Sequence, residues 1–447
     1  MNNETAGKRI AKNTGLMFGG KGGGAVFNLL VLLVVGRGLG LEVAGSLFII
    51  HATMLTAAEL GGFKSWQALI KFGVPHRDRN DTGALHKLLR FSIGLDLISA
   101  VIAFLAVEVF LWFAAGAIGL APEYKWLAMG YCTVILLRQK SASIGVLRLI
   151  DRFDLLAFHA VVMPFARLVG SLIAWAIGGG LGAFVTVWFV AAIADYLVLW
   201  FFAGRELHRA GLWKNLFAKP PTLRAPEPGL WRFSWTANID SSIAVAKQEI
   251  PVLLAGGVLG AAYAAVFKVA VQIASVLVKG TQQLDEVIYP ELASMINRGE
   301  ARKIWPLIIR SGAVLVGIAV AVGAIIGLLG PDVLSYVLQK DYGPSAPLAT
   351  LLLIAGAISA AYAPLLPTLY AAGRPAQAAI ARATGVGVLL VLFVVLAKSM
   401  GTLGPGWAFV IGDFVALIMA VLLTRRALAR HMANDTPNPS SLSLIHI

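Results

Sequence analysis

The sequence predicts an all-α polytopic membrane protein, with about twelve transmembrane helices in two six-helix bundles. Three observations lead there. Of 447 residues, 58% are hydrophobic and only 13% charged, and the mean hydropathy is +0.79. A soluble domain of that balance would aggregate, so most of the chain belongs in lipid. Apolar runs bounded by polar, Gly or Pro residues recur twelve times, and the chain resembles itself across its middle.

The first dozen residues are polar and basic, and no small-residue cleavage site follows the first apolar run, which reads as an uncleaved helix. The runs fall at 14–36, 43–62, 91–119, 125–149, 157–178, 182–203, 234–256, 261–282, 305–329, 346–369, 377–397 and 404–424. The formal charge of +14 suggests nucleic acid at first sight, but its distribution points to a bilayer instead. Lys and Arg gather in alternate loops: Lys64, Lys71, Arg77, Arg79 and Lys87 after the second run, and Arg205, Arg209, Lys214, Lys219, Arg224 and Arg232 after the sixth. Arg425, Arg426 and Arg430 follow the twelfth. By the positive-inside rule both termini are expected in the cytoplasm.

The expected organisation is a bundle over 1–203, a cytoplasmic, basic, proline-rich linker over 204–233, a second bundle over 234–424 and a cytoplasmic tail over 425–447. Gly36, Leu39, Gly40, Ala44 and Arg90 align with Gly256, Leu259, Gly260, Ala264 and Arg310. Six spans per repeat give both copies one orientation, hence a pseudo-two-fold along the membrane normal and a binding site between the halves near the midplane. Inner segments 63–72 and 284–297 space their apolar residues at helical period, to lie in the headgroup plane or to cap the helices before them. The longest outer loop, about Gly330 to Ser345, is too short for a folded catalytic domain, which argues against a membrane glycan polymerase.

The stretch Ser234–Gly257 can span a bilayer, yet carries Asp240, Lys247 and Glu249. A charge at the centre of a membrane helix costs roughly 3 kcal/mol even on the insertion scale, so such a face looks into a bundle or a hydrated cavity. Arg138 and Lys140 fall in the middle of the fourth run, Arg167 of the fifth and Lys247 of the seventh, with Lys21 and Lys268 at intermediate depth. Lys279, Arg310 and Arg382 lie near run ends and can snorkel. A basic cavity of low dielectric attracts an anion, and the arginine fork suits phosphate. Among the acidic residues in the runs, Glu59, Asp96 and Asp240 are candidates for carrying a coupling ion. Gly19–Gly24, Pro251, Pro364 and Pro367 are either close-packing sites or hinges. His51 and His159 are isolated in sequence and read as lining polar helix faces. The sequence carries no Walker A motif, no His-Glu-x-x-His, a single cysteine and no triad order, so neither an enzyme nor a cofactor or metal is expected.

The stretch Gly145–Ala157 with Pro164–Gly170, the stretch Ser65–Gly73, and Ile288-Tyr-Pro-Glu-Leu-Ala293 before a basic segment resemble one known family. It is the polysaccharide-transporter, O-antigen flippase (Wzx-like) branch of the multidrug/oligosaccharidyl-lipid/polysaccharide exporter superfamily. The resemblance runs to about residue 430 and is carried by hydropathy and diffuse patterns. It implies two six-helix bundles around a cationic cavity that opens alternately to either side. Its implied cargo is polyprenyl-pyrophosphate-linked glycan for lipopolysaccharide or exopolysaccharide synthesis at the bacterial inner membrane, driven by an ion gradient. Glycan polymerase and export machinery would be partners. The alternatives are a cation-coupled multidrug exporter of the same fold and a flippase for a peptidoglycan lipid precursor. Leu442–Ile447 resembles the translated end of a transposase used for sequencing libraries and is expected to be non-biological.

Overall fold

A computed structural model describes residues 6–138, 140–275, 295, 301–338, 342–343, 345–372 and 374–434. Among them there is no strand. The helices are α1 (Ala6–Leu39), α2 (Leu41–Gly61), α3 (Ser65–Asp78), α4 (Thr82–Ala114), α5 (Lys125–Cys132), α6 (Val134–Leu137), α7 (Ser141–Leu149), α8 (Phe153–Ala176), α9 (Leu181–Arg209) and α10 (Leu230–Leu259). They continue with α11 (Ala261–Ser275), α12 (Ala301–Leu338), α13 (Ser345–Tyr362), α14 (Leu365–Ala371), α15 (Pro375–Met400) and α16 (Gly404–Asn434). Nine segments of the described residues are long and apolar enough to cross a membrane, and the one over Ala376–Ala429 holds two of the predicted spans. The chain is a multi-pass membrane protein.

The structure departs from the sequence reading at the fourth run. Residues 125–149 form three short helices, with Arg138 and Lys140 between α6 and α7 and not mid-helix. Two basic side chains within three residues favour this break, because an interrupted backbone can turn both inward. The break is held from behind. Asp96 on α4 accepts the Ala142 amide (2.8 Å) and the Ser65 hydroxyl (2.8 Å), so its carboxylate caps the start of α7 from another helix. The Trp66 amide donates to Ser141 Oγ (3.0 Å).

Two compact units divide the chain at Lys268 and Val269. In the first, α1 packs along α8, with Gly20 and Gly24 one turn apart. A Cβ on Gly20 would lie 2.3 Å from the Ala157 carbonyl, and one on Gly24 2.8 Å from that of Ala160. These two glycines are therefore close-packing sites. α3, in the segment read as lying in the headgroup plane or capping the helix before it, buries Ala68 and Leu69 in a core shared with Leu85, Leu88, Val146 and Leu149 and leaves Lys71, Pro75 and Arg77 exposed. Gly145 permits this, since a Cβ there would sit 2.7 Å from Leu69 Cδ1. Segment 284–297 lies outside the described residues except for Met295.

The expected linker is bound to the same unit. The Arg90 guanidinium donates to the Leu216 carbonyl (2.7 Å), His86 meets the Leu212 carbonyl (2.8 Å) and His76 meets Glu227 (2.9 Å). Leu212, Leu216 and Leu230 are buried in the core. Glu206, 4% exposed at the end of α9, is held by Arg152 (2.6 Å), Arg205 (3.1 Å) and Arg209 (3.1 Å).

In the second unit α15 and α16 form an antiparallel pair, with Gly385 against Ala416 and Gly412. Ile304, Ile308, Leu365, Leu369, Ala378, Ala381, Ala420 and Ala427 make its core. The Tyr362 hydroxyl donates to the buried Asp413 (3.2 Å). α12 continues through Pro331 to Leu338, into what the sequence reads as the longest outer loop. α10 runs unbroken past Pro251, whereas Pro364 stands at the junction of α13 and α14.

Candidate anion-binding site

Four elements of the first unit each carry two polar residues about two helical turns apart. They are His51 and Glu59 on α2, Tyr131 on α5 with Arg138 just past α6, His159 and Arg167 on α8, and Trp188 and Asp195 on α9. On the three continuous helices, seven to eight residues at 1.5 Å rise separate the members of a pair by about 11 Å. The structure joins them as two layers.

One layer is built on Arg167, which is 6% exposed. Its Nη1 lies 3.3 Å from His51 Nε2, and its guanidinium stacks over the Trp188 ring at 4.5 Å. Arginine only donates, so His51 Nε2 accepts, and the ring proton sits on Nδ1, 2.8 Å from the Tyr131 hydroxyl. Arg167 Nε and Nη2 are buried and make no hydrogen bond among the described residues. An arginine buried on an aromatic face with unused donors favours an anion arriving beside it.

The other layer is paired throughout. Glu59 accepts from Arg138 (3.1 Å) and is also bonded to Lys64, while Asp195 accepts from Lys140 (3.0 Å) and lies 2.8 Å from His159. Asp195 is 3% exposed. Lys268 on α11 pairs with Glu249 on α10 (3.3 Å). Arg138, Lys140, Arg167 and Lys268 thus form the basic region of the first unit.

Of the sequence-predicted residues, Arg138, Lys140, Arg167, Lys268 and Glu59 fall in this region. Lys247 is half-buried on α10. Asp96 is engaged with the α7 backbone and Ser65. The side chains of Lys21 and Asp240 lie outside the described residues. Sequence reasoning missed Asp195, His159, His51, Tyr131, Trp188 and Lys64 as members, because the partners of each histidine stand 36 to 116 positions away. The two-turn spacing on α8 and α9 was the available signal. A groove of ≈ 630 Å³ between α1 and α8, lined by Gly15, Leu16, Gly19, Gly20, Asp154, Ala157, Phe158 and Val161, involves none of these cations.

Solved structures of the same fold are transporters. The chain matches the inward-facing conformation of a multidrug resistance MATE family transporter of the MOP superfamily with a TM-score of 0.76 at 17% identity, covering 92% of this chain and 96% of that one. It matches the inward closed conformation of the lipid II flippase MurJ with a TM-score of 0.70 at 11% identity, covering 95% and 90%. These likenesses establish the two-bundle transporter fold. No protein-family model matches. In sequence, the chain is 30% identical over 322 residues to the inner membrane protein YghQ of Escherichia coli (strain K12), spanning 71% of this chain and 89% of that protein. With that identity over most of both lengths, the chain belongs to the family of the inner membrane protein YghQ.

Proposed function

We propose that this chain is a transporter that moves polyprenyl-pyrophosphate-linked oligosaccharide across the bacterial inner membrane by alternating access, with both termini in the cytoplasm. One observation carries the reading: buried Arg167, with two unused donors, beside a helix break that presents Arg138 and Lys140. A pyrophosphate cannot cross hydrocarbon alone, and guanidinium and ammonium groups replace its water. The sugar occupies the hydrated interior while the polyprenyl tail stays in lipid. Lys268, paired with Glu249, adds a further base to the same unit. Glu59 is the better placed of the coupling candidates, since it touches Arg138 and Lys64 directly. Fold likeness to a flippase for lipid II supports a lipid-linked cargo, and a peptidoglycan precursor is compatible with the same site. A glycan polymerase and export machinery would act on the delivered glycan, with no role for nucleic acid or for catalysis by this chain.

A multidrug exporter is compatible with the same fold. The excess of cations over carboxylates in the buried region weighs against a cationic drug. Complementation of a strain lacking its O-antigen flippase, using residues 1–441, separates the two. Surface glycan restored by the parent and lost in Arg138→Ala, Lys140→Ala and Arg167→Ala at equal membrane levels supports the flippase. Drug resistance conferred without surface glycan supports the exporter. Glycan restored by all three variants overturns the assignment of these residues.

A further inference from the structure

The two carboxylates of the paired layer share a design that transport of an anion does not by itself require. Glu59 is bonded to Arg138, from the break between α6 and α7, and also to Lys64, which precedes α3. Asp195 is bonded to Lys140, from the same break, and also to His159 on α8. Each acid therefore has one basic partner on the break and a second on a separate element. The break itself carries no side-chain anion of its own, being Arg138, Gln139 and Lys140.

Resting on the flippase reading of this site, we propose that Glu59 and Asp195 are internal surrogates for the substrate's phosphates. They occupy Arg138 and Lys140 in the unloaded state, and loading is an exchange of carboxylate for phosphate. Removing one partner of a buried ion pair ordinarily leaves an uncompensated charge at heavy cost. Here Arg138 can turn to an incoming anion while Lys64 stays paired with Glu59, and Lys140 can turn while His159 stays hydrogen-bonded to Asp195. The arrangement favours an anion with two charged centres, such as a diphosphate, because two cations two residues apart are released together. Arg167 differs from both, since no carboxylate is bonded to it among the described residues. An empty transporter built this way carries no net unpaired charge on the break, and a singly charged lipid headgroup gains less from the exchange.

Titration of the detergent-solubilised chain with inorganic pyrophosphate, and with orthophosphate as the single-centre control, tests the exchange. Asp195→Asn and Glu59→Gln keep side-chain shape and remove the competitor, so each tightens pyrophosphate binding about tenfold, a size ordinary for coupled sites. Asp195→Glu keeps parental affinity. His159→Gln and Lys64→Gln remove the second partner and weaken binding, a change that a purely structural role for either would not produce. If one isosteric variant does not elute as a monodisperse species, the other carries the test. Unchanged or weaker binding in both carboxylate variants, with binding still lost in Arg138→Gln and Lys140→Gln, overturns the exchange and leaves the site reading intact. Binding that is the same in the parent and in Arg138→Gln and Lys140→Gln overturns the site reading, and the exchange with it.

Discussion

The two units bury different kinds of group. In the first, Glu59, Arg138, Lys140, His159, Arg167 and Asp195 meet inside helices that must also face lipid. In the second, the described interior is largely alanine, leucine and isoleucine, with Asp413 and Tyr362 as a buried polar contact. Both units contain segments long and apolar enough to cross a membrane. What separates them is the cost of burying charge: a small-residue interface such as Gly385 against Gly412 is stabilised by close packing alone, whereas the ionic layers persist only where every carboxylate has a base. A region that keeps such groups against that cost is the candidate for function.

The contrast can be broken in four places. The largest effect is expected at Asp96. Asp96→Ala removes the cap of α7 and orphans the Ser65 hydroxyl, which together destabilise by about 3 kcal/mol, visible as a lower Tm in detergent. The loosened break also lowers translocation. In the second unit, Gly385→Leu forces α15 off α16 and costs about 2 kcal/mol in the same assay. Translocation per folded molecule is retained, and its loss would put function in both units. Tyr362→Phe deletes the hydrogen bond to Asp413 and costs about 1 kcal/mol, again without loss of translocation. The smallest effect belongs to Arg209→Ala. That side chain is 60% exposed and Glu206 keeps Arg152 and Arg205, so the shift stays below about 0.5 kcal/mol.

The fold was legible because hydrocarbon imposes length and composition on each crossing, and ten of the twelve predicted spans overlap the nine long apolar segments of the described residues. The fourth was not legible as broken. Its hydropathy is that of a helix, and what interrupts it is a carboxylate contributed by Asp96, some 45 residues earlier. The site was half legible. A cation deep in an apolar run announces itself, so Arg138, Lys140 and Arg167 could be found from sequence alone. Their partners could not, since a histidine or an aromatic on a membrane helix is ordinary until its neighbour on another helix is known. The same limit applied to α3. Its period predicted one apolar face, and only Gly145, opposite Leu69, shows which neighbour that face packs against.

The interrupted crossing has a mechanical consequence. An unbroken helix is stiff along its axis, and a push at one end arrives at the other. α6 has only four residues, too few to hold helical form without its neighbours, and it is followed by a gap. A displacement that begins at Lys125 is absorbed before it reaches Leu149. The two ends of this crossing are thus insulated from one another, and either can be remodelled while the other holds its shape.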